Sequence, residues 1–133
     1  MLRYMLDTDI CIYALKDRPA TLRGRFNRLA EQICISAVTL AELAFGAERS
    51  ARPSENLAVV SLFVGQLDVL PFGERAAMHY GNLRAELARK GRPTGPYDLM
   101  ICAHARSEGL ILVTNNVRDF ERMNGLRIEN WAK

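Results

Sequence analysis

Short apolar runs alternate along the chain with stretches in which hydrophobic residues return every three or four positions. Arg3–Leu6 predicts a first strand, and the turn Asp7-Thr8-Asp9 leads into a helix ending about Lys16. Thr21–Ala30 puts Leu22, Phe26 and Leu29 on one face of an arginine-rich helix. Ile33–Ile35 is a short strand, after which Ser36 caps a helix through Val38, Glu42 and Phe45 to a stop near Gly46. Pro53 and Ser54 open a further helix carrying Leu57, Val60, Val64 and Leu67. Leu57, Val60, Phe63 and Val64 are read as a core face by default, and no interface residue is assigned there.

Val69-Leu70 is a weak strand ended by Pro71. From about Glu74 to Lys90 a long helix buries Ala76, Tyr80, Leu83 and Leu87, and Gly91–Pro96, with two glycines and two prolines, is a loop. Asp98 opens a nearly all-apolar helix to Ser107, closed by Gly109. Leu110–Val113 is the clearest strand; Asn115-Asn116 makes a turn, a short helix opens near Asp119, and Arg127–Glu129 is a last strand. Strands alternating with helices predict an α/β fold over residues 1–133: one domain with a short, mostly parallel central sheet flanked by helices on both faces. Continuously apolar strands suit a sheet covered on both faces.

The 133 residues exclude a second domain, and 49% hydrophobic with 25% charged residues is ordinary globular composition. No apolar run reaches the ~20 residues of a membrane span, and Asp7 and Asp9 interrupt any secretory leader. Three cysteines, Cys11, Cys34 and Cys102, lie among apolar neighbours without a CxxC pair. They read as buried small hydrophobes in a reducing cytoplasm. His104, in the apolar MICAHA run, reads as a satisfied core histidine, and neither it nor His79 has a zinc-ligand context.

Ligands of parallel sheets bind beyond the carboxyl ends of the strands. That rule selects Asp7 after the first strand, Glu42 in the helix after the second, Asp98 at a helix start, and Asp119 after the fourth strand. Each has a plainer reading as well: Asp7 as a turn residue, Glu42 on a solvated face, Asp98 and Asp119 as helix caps. Together they suggest a site for a hard divalent ion, since converging carboxylates repel each other and a phosphate unless a cation lies between them. Setting aside Asp7, Asp9, Glu42, Asp98 and Asp119 leaves 18 bases against 10 acids, about +8 on the rest of the chain. Only three of the 18 bases are lysines, and arginine is the better fork for phosphate. An acidic metal cleft in a basic surface reads as a phosphodiesterase acting on a polyanion.

The stretches MLDTDICIY, CISAVTLAELAFGAE, AELARKGRPTGPYDLMICAHA and LVTNNVRDFERMNGLRIENW resemble the PIN-domain ribonucleases, and more closely the VapC-type toxins of bacterial toxin–antitoxin pairs. The resemblance implies a metal-dependent endoribonuclease whose acidic quartet falls on Asp7, Glu42, Asp98 and Asp119, with Mg²⁺ as cofactor and Mn²⁺ as the alternative. The GRPxGPxD block with TNNxxxFxR resembles the enteric-type subgroup, which implies initiator tRNA cut in its anticodon stem-loop. It also implies a homodimer inhibited by a small antitoxin.

On this reading Asp7 and Asp98 hold the principal metal, Glu42 and Asp119 complete its shell or a second, weaker site, partly through water, and a water is activated for in-line attack, leaving 5′-phosphate and 3′-hydroxyl ends. Two departures from the pattern are visible. Asp9 stands where the family usually has Asn or Ser and is read as a helix cap, with a place facing the metal cleft the alternative. Asn115-Asn116 take the place where many relatives put an acid, so Asp119 is expected to reach metal through water. Arg84, Arg89, Lys90 and Arg92 are candidates for RNA contact from composition, with a solvated helix face the plainer reading. Three other readings compete with this one. A HAD-type phosphotransferase using Asp7 and Asp9 lacks a suitable downstream lysine, having only Lys90 and Lys133. A receiver domain lacks its acceptor Asp, Ser36 standing there, and its late Lys. A catalytically idle PIN-like binding domain is opposed by the presence of all four acids.

Overall fold

Thirteen segments carry the fold in the computed structural model, which describes residues 1–16, 20–121 and 123–132. In chain order they are β1 (Tyr4–Leu6), α1 (Thr8–Leu15), α2 (Ala20–Leu29), a 3-10 turn (Ala30–Gln32), β2 (Ile33–Ser36), α3 (Ala37–Glu48) and α4 (Pro53–Val64). Then come β3 (Asp68–Leu70), α5 (Glu74–Arg89), α6 (Pro96–Ser107), β4 (Ile111–Val113), α7 (Val117–Phe120) and β5 (Ile128–Glu129). The strands pair in the order β3-β2-β1-β4-β5, and every pairing is parallel, as the alternating pattern predicts.

Side chains along each strand divide by parity between two cores. Met5, Cys34 and Leu112, in register across β2-β1-β4, face α5 and α6 together with Leu83, Leu99 and Cys102. Their neighbours Tyr4, Leu6, Ile33, Ile35, Ile111 and Val113 face the other way, onto Ile10, Leu22, Leu43, Val60 and Trp131. Both faces being covered explains why the strand sequences are apolar without alternation. All three cysteines are buried and free, as expected of small hydrophobes. Val60 is buried, and Leu57, Phe63 and Val64 pack against the second core, so the core reading of that helix face holds. Lys133 lies outside the described residues.

Several boundaries differ from the sequence reading. α3 continues past Gly46 to Glu48. A helical glycine costs only ~1 kcal/mol, and Leu43 and Ala47 are both buried one turn apart, so packing carries the helix through. α6 begins at Pro96 rather than at Asp98, with Gly95 as N-cap and proline in its first turn. Asp98 therefore sits inside the first turn and caps nothing. Likewise α7 is capped at Asn116, and Asp119 lies within it.

Candidate active site at the carboxyl ends of the strands

Chain order runs outward from β1 to β2 and β3, then crosses to β4 on the other side of β1. The crevice between the carboxyl ends of β1 and β4 is thus the topological switch point. Asp7 stands in it. Its backbone N–H donates to Val113 O at 3.0 Å, extending the β1–β4 ladder, and its Oδ1 accepts from Ile10 N at 2.9 Å. Asp7 is thus the N-cap of α1, and the cap expected of Asp9 belongs to Asp7 instead. The cap must be the residue just before the helix, and strand pairing fixes that residue as Asp7.

Asp7 is only 6% exposed. Burial pushes its carboxyl up to about 6; hydrogen bonds from the Thr114 hydroxyl and the Ile10 amide pull it back in part, while Asp9 and Asp98 push it further up. Thr114 is itself fully buried, and its hydroxyl oxygen also accepts from Asn116 N at 2.9 Å.

Glu42 projects from α3 and is half-buried, so its solvated-face reading does not hold. The Thr8 hydroxyl donates to its Oε1 at 2.6 Å, and the buried Thr39 hydroxyl lies 3.4 Å from that of Thr8. Thr8, lying between two acids in the sequence, was missed as a supporting residue; its only signal there is a hydroxyl at the switch-point turn. Asp98 is raised above the ordinary carboxylate range, first by partial desolvation and then by Glu42, Asp9 and Asp119. Asp9 itself is exposed in the first turn of α1. Its charge acts on both Asp7 and Asp98, so it lies close to the cluster.

Asp98 and Asp119 line a cleft of about 430 Å³ with Arg92, Thr94, Arg118 and an apolar floor that includes Leu87 and Phe120. Of the basic residues read from composition, Arg92 lines this cleft. Arg84 instead donates to Tyr80 Oη at 3.0 Å and lies over its ring, while Arg89 and Lys90 are exposed outside the cleft. Arg118 was missed, because only the fold brings residues 92 and 118 to one cleft.

Beneath the cluster, the hydroxyl of Ser36 accepts from Val38 N at 3.1 Å and so caps α3 as predicted. Its Oγ lies 2.8 Å from His104 Nδ1, on α6. His104 is fully buried but half-satisfied: Nε2 has no hydrogen-bond partner, which corrects the expectation of a fully satisfied core histidine. Burial lowers its pKa, so the ring is neutral.

The PIN domain family profile matches residues 4–126. The chain belongs to the PIN-domain family. It is 58% identical over 132 residues to the "tRNA(fMet)-specific endonuclease VapC" of Shigella flexneri, covering 99% of this chain and 100% of that protein. A protein of the same name from Salmonella typhimurium is 55% identical with the same coverage. Among solved structures, DNA-bound VapBC from Salmonella typhimurium superposes with a TM-score of 0.95 at 55% identity, over 98% of this chain and 99% of that one. This PIN domain therefore sits within the VapC group that its motifs resemble, and the HAD and receiver alternatives fall away.

PIN-domain nucleases generally use a divalent metal, and the donors here suit one. The five acids offer only hard oxygen ligands, none forms an ion pair with a described residue, and Asp7 and Asp98 are each pushed up by their acidic neighbours. Among the described residues no three acidic, imidazole or thiol groups are arranged to hold one ion by themselves. That fits a cation bound through one or two carboxylates, with water and substrate phosphate filling its shell.

Proposed function

We propose that this chain is a Mg²⁺-dependent endoribonuclease, the toxin of a toxin–antitoxin pair, which cuts initiator tRNA in the anticodon stem-loop and so halts translation. The charge coupling of Asp7 at the switch point to Asp98, and of Asp98 to Glu42 and Asp119, within a PIN domain is the observation that supports this reading. Whole-length identity to two proteins named tRNA(fMet)-specific endonucleases supports the substrate, and likeness to VapBC complexes supports the antitoxin. The chain acts as a homodimer in the cytoplasm; among the described residues no helix is long and apolar enough to cross a membrane.

In this mechanism Asp7 and Asp98 would hold the metal, and Glu42 and Asp119 would complete its shell or a second, weaker site, partly through water. When bound, a divalent ion supplies the positive charge that acidifies a water and neutralises the developing charge on phosphorus oxygens. The chain's own task is to hold oxygens ready. Hydrogen bonds from Thr114 and the Ile10 amide orient the Asp7 carboxylate and favour its ionised form against burial, and the Thr8 hydroxyl orients Glu42. In-line attack of water then leaves a 5′-phosphate and a 3′-hydroxyl.

The test is to incubate the purified chain with a total tRNA pool in Mg²⁺ or EDTA, beside Asp98→Asn, and to map ends by primer extension. One discrete cut in initiator tRNA, lost with EDTA and in the variant, is expected. A cut that survives in Asp98→Asn, or no cut at all, refutes the proposal and leaves an idle PIN-like binding domain.

A further inference from the structure

We propose that Arg92 and Arg118 form a two-sided grip for the RNA phosphate backbone beside the carboxylate cluster; this rests on the nuclease reading above. The two guanidinium groups come from different parts of the chain, one from the segment after α5 and the other from α7, and both line the cleft that holds Asp98 and Asp119. Neither side chain has a hydrogen-bond or ion-pair partner among the described residues.

Four arginines elsewhere in the fold have their donors taken, whereas Arg28 and Arg89 are as unpaired among the described residues as Arg92 and Arg118 but lie outside the cleft. Arg75 donates to Ser107 O, Arg84 to Tyr80 Oη, Arg106 to His79, Asn82 and Asn124, and Arg127 to Gly109 O. Two unpaired guanidinium groups in a cleft that also holds two acids are donors kept for something else. The backbone presents Arg92 directly: Gly91 takes φ +66°, and Arg92 N then donates to Leu87 O at 2.9 Å, fixing the turn from which the side chain springs.

A phosphodiester approaching the acids meets the same like-charge repulsion that the acids exert on one another, Asp98 and Asp9 on Asp7, and Glu42, Asp9 and Asp119 on Asp98. Guanidinium groups flanking that point offset the repulsion, and their planar forks match phosphate oxygens. The apolar floor of Leu87, Pro93, Phe120 and Met123 strengthens such contacts by excluding water. Grips of this kind position the strand without reading its bases, so the choice of RNA is made elsewhere on the protein.

The experiment measures anisotropy of a fluorescein-labelled RNA hairpin with an unpaired loop, bound to the Asp98→Asn chain in Mg²⁺ across a KCl series. Adding Arg92→Ala or Arg118→Ala is expected to flatten the slope of log Kd against log salt by about 0.7 each, one phosphate's share for single strands. Arg89→Ala, at the end of α5 but outside the cleft, is expected to leave the slope as it was. Unchanged slopes in both cleft variants, or an equal loss in Arg89→Ala, would overturn the grip while leaving the nuclease reading intact. Failure of the Asp98→Asn parent to bind the hairpin at all would overturn both.

Discussion

Replacing Asp7 with asparagine should make the metal-free protein more stable, because Asp7 is buried at a cost to the fold. Its carboxyl moves from 3.8 to about 6 on folding. A raised acid favours folding while protonated, so that contribution is complete below pH 3.8 and is lost as pH rises through about 6. About two pKa units at 1.36 kcal/mol each give ~3 kcal/mol withheld from the wild type at neutral pH. Asparagine is isosteric, keeps an oxygen for the Ile10 amide, and avoids the charge. Asp7→Asn is therefore expected to gain up to ~3 kcal/mol at pH 8, roughly 10 °C in Tm, with the gain shrinking to nothing near pH 4. Urea denaturation in EDTA at a series of pH values reads this directly. Saturating Mg²⁺ should narrow or reverse the gap, since only the wild type gains from binding. A pH-independent difference, or no gain at pH 8, would show that Asp7 is not held ionised against its environment.

Thr114→Val removes the hydroxyl that holds Asp7 down, so its carboxyl climbs further and Mn²⁺ affinity at pH 7 falls ten- to a hundredfold, as calorimetric titration would show. Mg²⁺ affinity rises with pH as the metal-free Asp7 ionises around pH 6; Asp9→Asn moves this limb to lower pH, since Asp9 raises both Asp7 and Asp98, and calorimetric titration across a pH series tests the direction. Ser36→Ala uncaps α3 and strips His104 of its hydrogen bond, costing ~2–4 kcal/mol by urea denaturation.

The central strands were legible because a doubly covered sheet leaves an unbroken apolar signature, and β1, β2 and β4 fall on the runs that show it. Site geometry was less so. Asp7 and Asp9 are chemically identical two residues apart, and only the rung from Asp7 N to Val113 O decides which one caps α1 and is buried. The passage of α3 through Gly46 depends on what Leu43 and Ala47 touch, which local propensity does not encode. The pairing of Ser36 with His104 and the meeting of Arg92 with Arg118 are products of tertiary structure, invisible to spacing along the chain.

The buried thiols give the molecule a built-in clock for its own opening. Cys11 lies in the core packed on one face of the sheet, while Cys34 and Cys102 lie in the core on the other. All three are inaccessible and their thiols are pushed up, Cys34 to about 12, so the folded protein presents almost no thiolate to an electrophile. Alkylation in native buffer therefore proceeds only through excursions that expose a layer. Mass spectrometry resolving which cysteine is tagged first would time the two halves of the protein separately, without introducing a probe.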